Sequence, residues 1–276
     1  MELEAAHRPD LAAGFIARFA EAAHDFDLYG ALDFYLSYRA WVRGKVAALI
    51  ASDGDLALMQ RQGKREEARA QFALARAEEG KPLDRPFIIV MNGLPGSGKS
   101  VLARALGEVL AAPVISSDRV RKALADLPPT ERGPTSLYEP DRTRETYGEM
   151  FRSAEVIVNS GRGVILDATF ARRDSRARAA AIASTPAATF VLIESVCSDE
   201  TALRKRLRGR EQGASESDAR ERELELVRSD FEPVLATEAA VHVSVETTED
   251  FGSCLVQAMI ALRHAGIVPA SERRRG

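Results

Sequence analysis

With 276 residues, 45% of them hydrophobic and 29% charged, and a formal net charge of -3, the chain has an ordinary globular composition that excludes a fibre or a disordered polymer. The mild acidity argues against general affinity for nucleic acid, and no stretch approaches the roughly 18 uninterrupted apolar residues of a membrane span. Glu2 and Glu4 at the N-terminus do not fit a signal peptide, and Cys197 and Cys254 are far apart in no metal-like spacing. A cytoplasmic protein with reduced thiols, no membrane contact and no metal cluster is therefore expected, and Arg273-Arg274-Arg275 read as a solvated basic tail.

In chain order, residues 1–80 read as helical. Apolar residues recur at helical spacing over 9–24 (Leu11, Phe15, Phe19, Ala22) and over 30–51 (Leu32, Tyr35, Leu36, Trp41, Val42, Val46). Residues 64–79 are rich in Ala, Glu and Arg, Gly54 and Gly63 punctuate the segments, and Lys81-Pro82 with Arg85-Pro86 reads as a linker. Phe15, Phe19, Leu32, Tyr35, Leu36, Trp41 and Val42 are more apolar surface than three isolated helices can bury among themselves. They are expected to dock on the rest of the chain, with a homodimer through these helices as the runner-up and a missing upstream domain as the third possible partner.

From residue 81 to 276 strands and helices alternate. The pattern predicts strands at 87–91, 113–116, 163–167, 188–194 and 240–246, with helices near 99–110, 118–126, 140–160, 172–183, 199–209, 216–230 and 249–264. This is an α/β domain with a parallel sheet covered on both faces and a ligand crevice at the carboxyl ends of its strands.

Between the first of these strands and its helix stands GLPGSGKS, residues 93–100, a complete G-x-x-x-x-G-K-S phosphate-binding loop. Gly93, Leu94, Pro95, Gly96, Ser97, Gly98, Lys99, Ser100 and Val101 are the expected nucleotide contacts. The glycines let the backbone approach an anion closely, and the helix N-terminus favours its charge. Lys99 is expected to reach the β- and γ-phosphates of ATP and Ser100 to ligate Mg²⁺. After the second strand comes Ser117-Asp118-Arg119-Val120-Arg121, where Asp118 is placed to accept the proton of a substrate hydroxyl and Arg121, one turn on, to hold an anionic group or steady Asp118. The plainer role for Asp118 is a helix N-cap.

Val164-Ile165-Leu166-Asp167-Ala168-Thr169 has the form of a Walker B strand, with Asp167 orienting Mg²⁺ and Thr169 facing the acceptor. The residue after Asp167 is Ala168 rather than a water-activating glutamate, and N-K-x-D is absent from the chain. Transfer to an acceptor is thus favoured over hydrolysis. Finally Leu203-Arg204-Lys205-Arg206-Leu207-Arg208-Gly209-Arg210 reads as a basic lid, with Arg206 and Arg210 on one face to neutralise transition-state charge; the alternative is a solvated helix face.

On GLPGSGKS, SSDRVRK, LDATF, RLRGR and the ESDA…FEP stretch of 216–233, residues 86 to about 265 resemble the P-loop kinases of the polynucleotide kinase, zeta toxin and gluconate kinase neighbourhood, in particular bacterial kinases labelled AAA-family ATPases. The resemblance implies a P-loop kinase-type five-stranded sheet in the order 2-3-1-4-5, Asp118 as general base, and Arg121 on the acceptor's anionic group. Residues 1–80 resemble the last helices of an aminoglycoside phosphotransferase-like domain, without its H-x-D-x-x-x-x-N catalytic loop. The expected activity is ATP- and Mg²⁺-dependent transfer to a hydroxyl of a small molecule or a nucleic-acid end. A polynucleotide 5′-hydroxyl kinase and a non-catalytic nucleotide-sensing partner protein are the alternatives.

Overall fold

The structure, a computed structural model, describes residues 8–78, 86–184, 188–211, 224–248 and 250–267. Phe87-Ile88-Ile89-Val90-Met91-Asn92 form β1, buried at every position as a central parallel strand must be. The remaining strands are β2 (Val114–Ser116), β3 (Val164–Asp167), β4 (Thr189–Val196) and β5 (Val241–Glu246). All pairs are parallel and the order is β2-β3-β1-β4-β5, the P-loop kinase-type sheet.

Ten helices accompany the sheet among the described residues: α1 (Pro9–Ala23), α2 (Leu28–Ala51), α3 (Leu58–Glu78), α4 (Lys99–Leu110), α5 (Ser117–Ala123), α6 (Pro140–Asn159), α7 (Arg173–Ser184), α8 (Glu200–Glu211), α9 (Leu224–Ser229) and α10 (Phe251–His264). A 3₁₀ turn, Thr135–Tyr138, precedes α6. None is long and apolar enough to cross a membrane.

Alternation along β1 sorts the core into two layers. Ile88 and Val90 face a cluster with Val164, Leu166, Met150, Ile157 and Ala179, which brings α6 and α7 to that side. Ile89 and Met91 face Leu102, Leu106, Val245, Ala258 and Leu262 under α4 and α10. The first layer also takes in Ala20, Phe26 and Tyr29, with Ile16, Leu28 and Leu32 against it, so α1 and the start of α2 complete the core of the sheet. Glu21 Oε1 accepts from Val114 N–H at 2.8 Å, satisfying a backbone donor of the edge strand β2. Ion pairs Arg18–Glu108, Arg152–Asp27 and Arg162–Asp33 surround this junction.

Beyond Leu32, α2 leaves the sheet and packs on α3. Ala40, Gly44, Ala47 and Ala51 are buried in that contact, where a Cβ on Gly44 would stand 2.9 Å from the Phe72 ring. Phe15, Phe19, Tyr35 and Trp41 are exposed, against the expectation that docking covers them. Gly63 does not end a segment: α3 starts at Leu58 and runs through it, the missing Cβ costing about 1 kcal/mol that packing offsets. The linker at 79–85, most of the predicted helix 216–230 and the basic tail lie outside the described residues.

Candidate active site

The carboxyl ends of β2, β3 and β1 are neighbours in register, Ser116 beside Asp167 and Asp167 beside Met91. The topology therefore brings three predicted segments together: the glycine loop after β1, Asp118 after β2, and Asp167 with Thr169 at the end of β3.

The loop has the backbone that its glycines were expected to supply. Gly93, Gly96 and Gly98 have φ of 148°, 83° and 90°, and a Cβ on Gly93 would fall 2.5 Å from the Ser195 carbonyl. Leu94 packs with Leu203, Leu207 and Leu224, which seats the outside of the loop on α8 and α9. Ser97 is buried, its carbonyl accepting from Thr247 Oγ1 at 2.6 Å. Its hydroxyl has no hydrogen-bond partner among the described residues and lies in the same tight turn, 2.7 Å from where a Gly93 Cβ would sit. Gly98 caps α4 in the left-handed region, and Lys99 and Ser100 open that helix, half exposed. The first N–H groups of a helix have no intrahelical partner, so they and Lys99 form a cationic cradle suited to phosphate. Val101 is exposed on the first turn of α4.

Asp118 is not an N-cap. The cap position of α5 is Ser116, and Asp118 Oδ1 instead accepts from Arg121 Nη1 at 2.8 Å. The Arg121 side chain is nearly buried and its guanidinium lies 4.4 Å from the centroid of Tyr138, a cation–π contact that fixes its plane. Asp118 makes no hydrogen bond through its other oxygen to a described residue, which leaves that oxygen open to a hydroxyl in the crevice.

Asp167 is buried at the end of β3. Ser100 and Asp167 are a hydroxyl and a carboxylate on adjacent elements, oxygen donors of the kind Mg²⁺ takes beside nucleotide phosphates, so the residues present fit that ion. Among the described residues no cluster of three or more His, Cys, Asp or Glu is arranged to hold a metal by itself.

Thr169 is half buried and sits in a turn that sequence reasoning did not foresee. Its carbonyl accepts from Gly93 N–H at 3.3 Å and from Asn92 Nδ2 at 3.1 Å, tying the β3 loop directly to the glycine loop. The next residue, Phe170, has φ 47°, a left-handed conformation that is strained for a bulky side chain. Every part of Phe170 is held. Its N–H donates to Tyr147 Oη at 3.1 Å, its carbonyl accepts from Asn92 and from Arg176 at 2.9 Å each, and its ring packs on Tyr147 at 5.3 Å. Burial pushes the Tyr147 phenol up to about 12, so it stays a neutral hydrogen-bonding group.

Among the described residues Arg176 is the largest fully buried side chain. All its donor groups are engaged: Glu238 takes Nε and Nη2 at 2.5 and 3.0 Å, Phe170 and Ala171 carbonyls take Nη1, and the Pro233 carbonyl takes Nη2. The Arg176 guanidinium holds the Glu238 carboxyl below the usual carboxylate range. Glu232 N–H also donates to the Ala171 carbonyl at 2.8 Å, so the 230–238 segment is fastened along the β3 loop.

Arg206 lies against the glycine loop rather than on a solvated face. It donates to the Thr247 carbonyl at 2.6 Å, to Thr247 Oγ1 at 3.1 Å and, at the limit of hydrogen-bond distance, to the Gly96 carbonyl at 3.5 Å. The side chain of Arg210 lies outside the described residues. Asn92, Tyr147, Arg176, Glu238 and Thr247 are the site residues that sequence reasoning missed. Only Asn92, a lone amide ending a run of buried apolar residues, carried a signal.

A model of the AAA domain family matches residues 88–234. Proteins of Mycobacterium tuberculosis and Mycobacterium bovis are 35% identical over 189 residues, which is 67% of this chain and 36% of each relative. The match thus takes in about a third of the length of those relatives. A solved structure of a candidate kinase from Chloroflexus aurantiacus shares the fold, with a TM-score of 0.52 and 24% identity over 66% of this chain and 99% of its own. The family match runs from β1 through the glycine loop, the acid of β3 and the loop that Arg176 closes: the chain belongs to the AAA domain family.

Proposed function

We propose that the chain is an ATP- and Mg²⁺-dependent kinase that transfers the γ-phosphoryl group to a hydroxyl of a small-molecule acceptor. The observation that carries this reading is Asp118: it follows β2, beside the β3 acid and across β3 from the glycine loop, is oriented by Arg121, and has one oxygen open. The Lys99 ammonium and the α4 N–H groups hold and neutralise the phosphates. Ser100 and Asp167 would hold Mg²⁺, which would supply further charge neutralisation. Asp118 accepts the proton of the attacking hydroxyl, and Arg121 keeps the carboxylate aimed. The residue that follows Asp167 is the buried Ala168, where a water-activating glutamate would otherwise stand.

Turnover of ATP is to be measured with sugars, nucleosides, aminoglycosides and oligonucleotide 5′ ends as acceptors. One class should raise turnover well above the rate in water, and Asp118→Asn should then lower it by roughly 10²-fold or more with ATP affinity retained. Full activity of the Asn variant would remove Asp118 from the mechanism, and stimulation by oligonucleotides alone would make the chain a polynucleotide kinase. Nucleotide binding with no acceptor-dependent turnover would support the sensing role instead. Residues 1–80 are read, as part of the same proposal, as resembling the last helices of an aminoglycoside phosphotransferase-like domain.

A further inference from the structure

Helix α2 carries two apolar faces. One, built from Ala40, Gly44, Ala47 and Ala51, is covered by α3. The other lies roughly 130° around the helix and is formed by Phe34, Tyr38, Trp41, Lys45 and Leu49, with Tyr35 and Val46 on its flank. Phe34, Tyr38, Trp41 and Leu49 are 67%, 55%, 49% and 63% exposed. The successive spacings of four, three, four and four residues are those of a seam between paired helices, about 22 Å long, with a single lysine within it. It begins past Phe26, Tyr29 and Leu32, the residues that dock on the sheet.

We propose that this seam is the two-fold interface of a homodimer, with α2 packed antiparallel on α2 of a second copy. The seam is self-complementary in that direction. A two-fold axis between Trp41 and Val42 sets Phe34 opposite Leu49, Tyr38 opposite Lys45 and Trp41 opposite Val42 of the other copy. Lys45, whose ammonium already lies 5.5 Å from the Trp41 centroid, then meets the Tyr38 ring of the second copy rather than another cation. Parallel packing would instead set lysine against lysine. The area is also of the right size. With 150–250 Å² for each aromatic side chain, the exposed parts of the seam and its flank come to on the order of 600 Å² per copy. That is at the upper limit of patches left bare on monomers and close to the roughly 800 Å² per partner of a standard interface. The pairing places α3, α2 and their symmetry mates in one four-helix layer.

Sedimentation velocity on the full chain, from about 1 to 100 µM, tests this. A monomer–dimer equilibrium is expected, with dimer predominant by about 10 µM. Tyr38→Glu, at the centre of the seam, should weaken it by about 100-fold or more, and Lys45→Ala by about tenfold. Both should keep the wild-type circular dichroism and affinity for an ATP analogue. Phe34→Ser is the second disruptive variant should Tyr38→Glu fail to fold, and Val256→Glu, exposed on α10, should leave the dimer intact. A monomer at 100 µM would assign the seam to a different polypeptide and overturn the proposal. A dimer indifferent to both disruptive changes, or an open series of larger species, would do so too. None of these outcomes depends on the kinase reading.

Discussion

The loops of the nucleotide-binding region and the α2–α3 hairpin differ in where they keep their polar and apolar atoms. Around the site, buried polar side chains tie loops together: Arg176 makes five hydrogen bonds out of water, and Asn92 Nδ2 spans two carbonyls of the β3 turn. In the hairpin the buried contact is made of alanines and a glycine, while four aromatic rings stand in solvent. Buried, fully partnered polar groups fix one loop geometry, because each alternative leaves a donor or acceptor unsatisfied. Packing of small residues brings helices close without fixing what lies on their outer faces. The first arrangement suits a site that must hold reacting groups to a fraction of an ångström, and the second suits a surface still to be covered.

If the two regions are built for these different ends, changes in them should separate chemistry, stability and assembly. The largest effect is expected from Lys99→Ala. Removing the cation of the cradle should lower turnover by roughly 10²–10³-fold or more and weaken nucleotide binding measurably by calorimetry. Thermal stability should stay near wild type, because Lys99 is half exposed. Unchanged ATP affinity would mean that the loop does not hold the phosphates in the expected way.

Arg176→Ala comes next, and acts on stability. It takes the guanidinium away from Glu238 and the Pro233 carbonyl and leaves the Phe170 and Ala171 carbonyls with one donor each, so about 3–5 kcal/mol of unfolding free energy should be lost, chiefly through the broken buried ion pair. The ion pair also sets a pH dependence. The folded-state pKa of Glu238 is depressed, so its contribution is fully present above the unfolded value of about 4.3 and is lost as pH falls through the folded value. Denaturant titrations of wild type should therefore show stability falling with acidification in that window. The Arg176→Ala variant should show a shallower fall. Equal slopes would place the clamp's strength in packing rather than charge.

Most of the sheet could be read from the chain. Continuous apolar runs can be buried on both faces only as parallel strands, and the glycine loop with its lysine has few other uses. Asp118 and Asp167 were legible for the same reason, since each ends a strand whose neighbours are recognisable. Arg176 was not. In RRDSRARAAA it has the look of one more solvated cation, and only the return of residues 230–238 over the β3 loop makes it the most buried arginine. Glu238, its partner 62 residues on, carries no local pattern. Tyr147 and Phe170 were hidden likewise, because a left-handed phenylalanine is set by three tertiary hydrogen bonds that no local propensity encodes. In the N-terminal helices the apolar excess was visible, but periodicity cannot say which part of it the sheet covers and which part remains.

Gly44→Val should give the smallest effect and sharpens the comparison from the side of the hairpin. Gly44 faces Phe72 with 2.9 Å left for a Cβ, and a branched side chain there must push the α2–α3 pair apart. Such overpacking costs about 1–3 kcal/mol, offset only by the few tenths of a kcal/mol that replacing a helical glycine with a β-branched residue returns. Because Ser37 Oγ donates to the Ala75 carbonyl further along the same contact, the displacement should spread along α3 rather than relax at one residue. Hydrogen exchange should therefore rise in α3 and in α2 beyond residue 36. It should stay unchanged in β1, β3 and the 170–176 turn, with ATP-analogue affinity the same as wild type. The start of α2 is a separate matter, since Tyr29 and Leu32 belong to the core of the sheet. A loss of protection reaching Tyr29 and the β3 turn would show that the hairpin and the site unfold as one unit, and the division drawn between them would have to be given up.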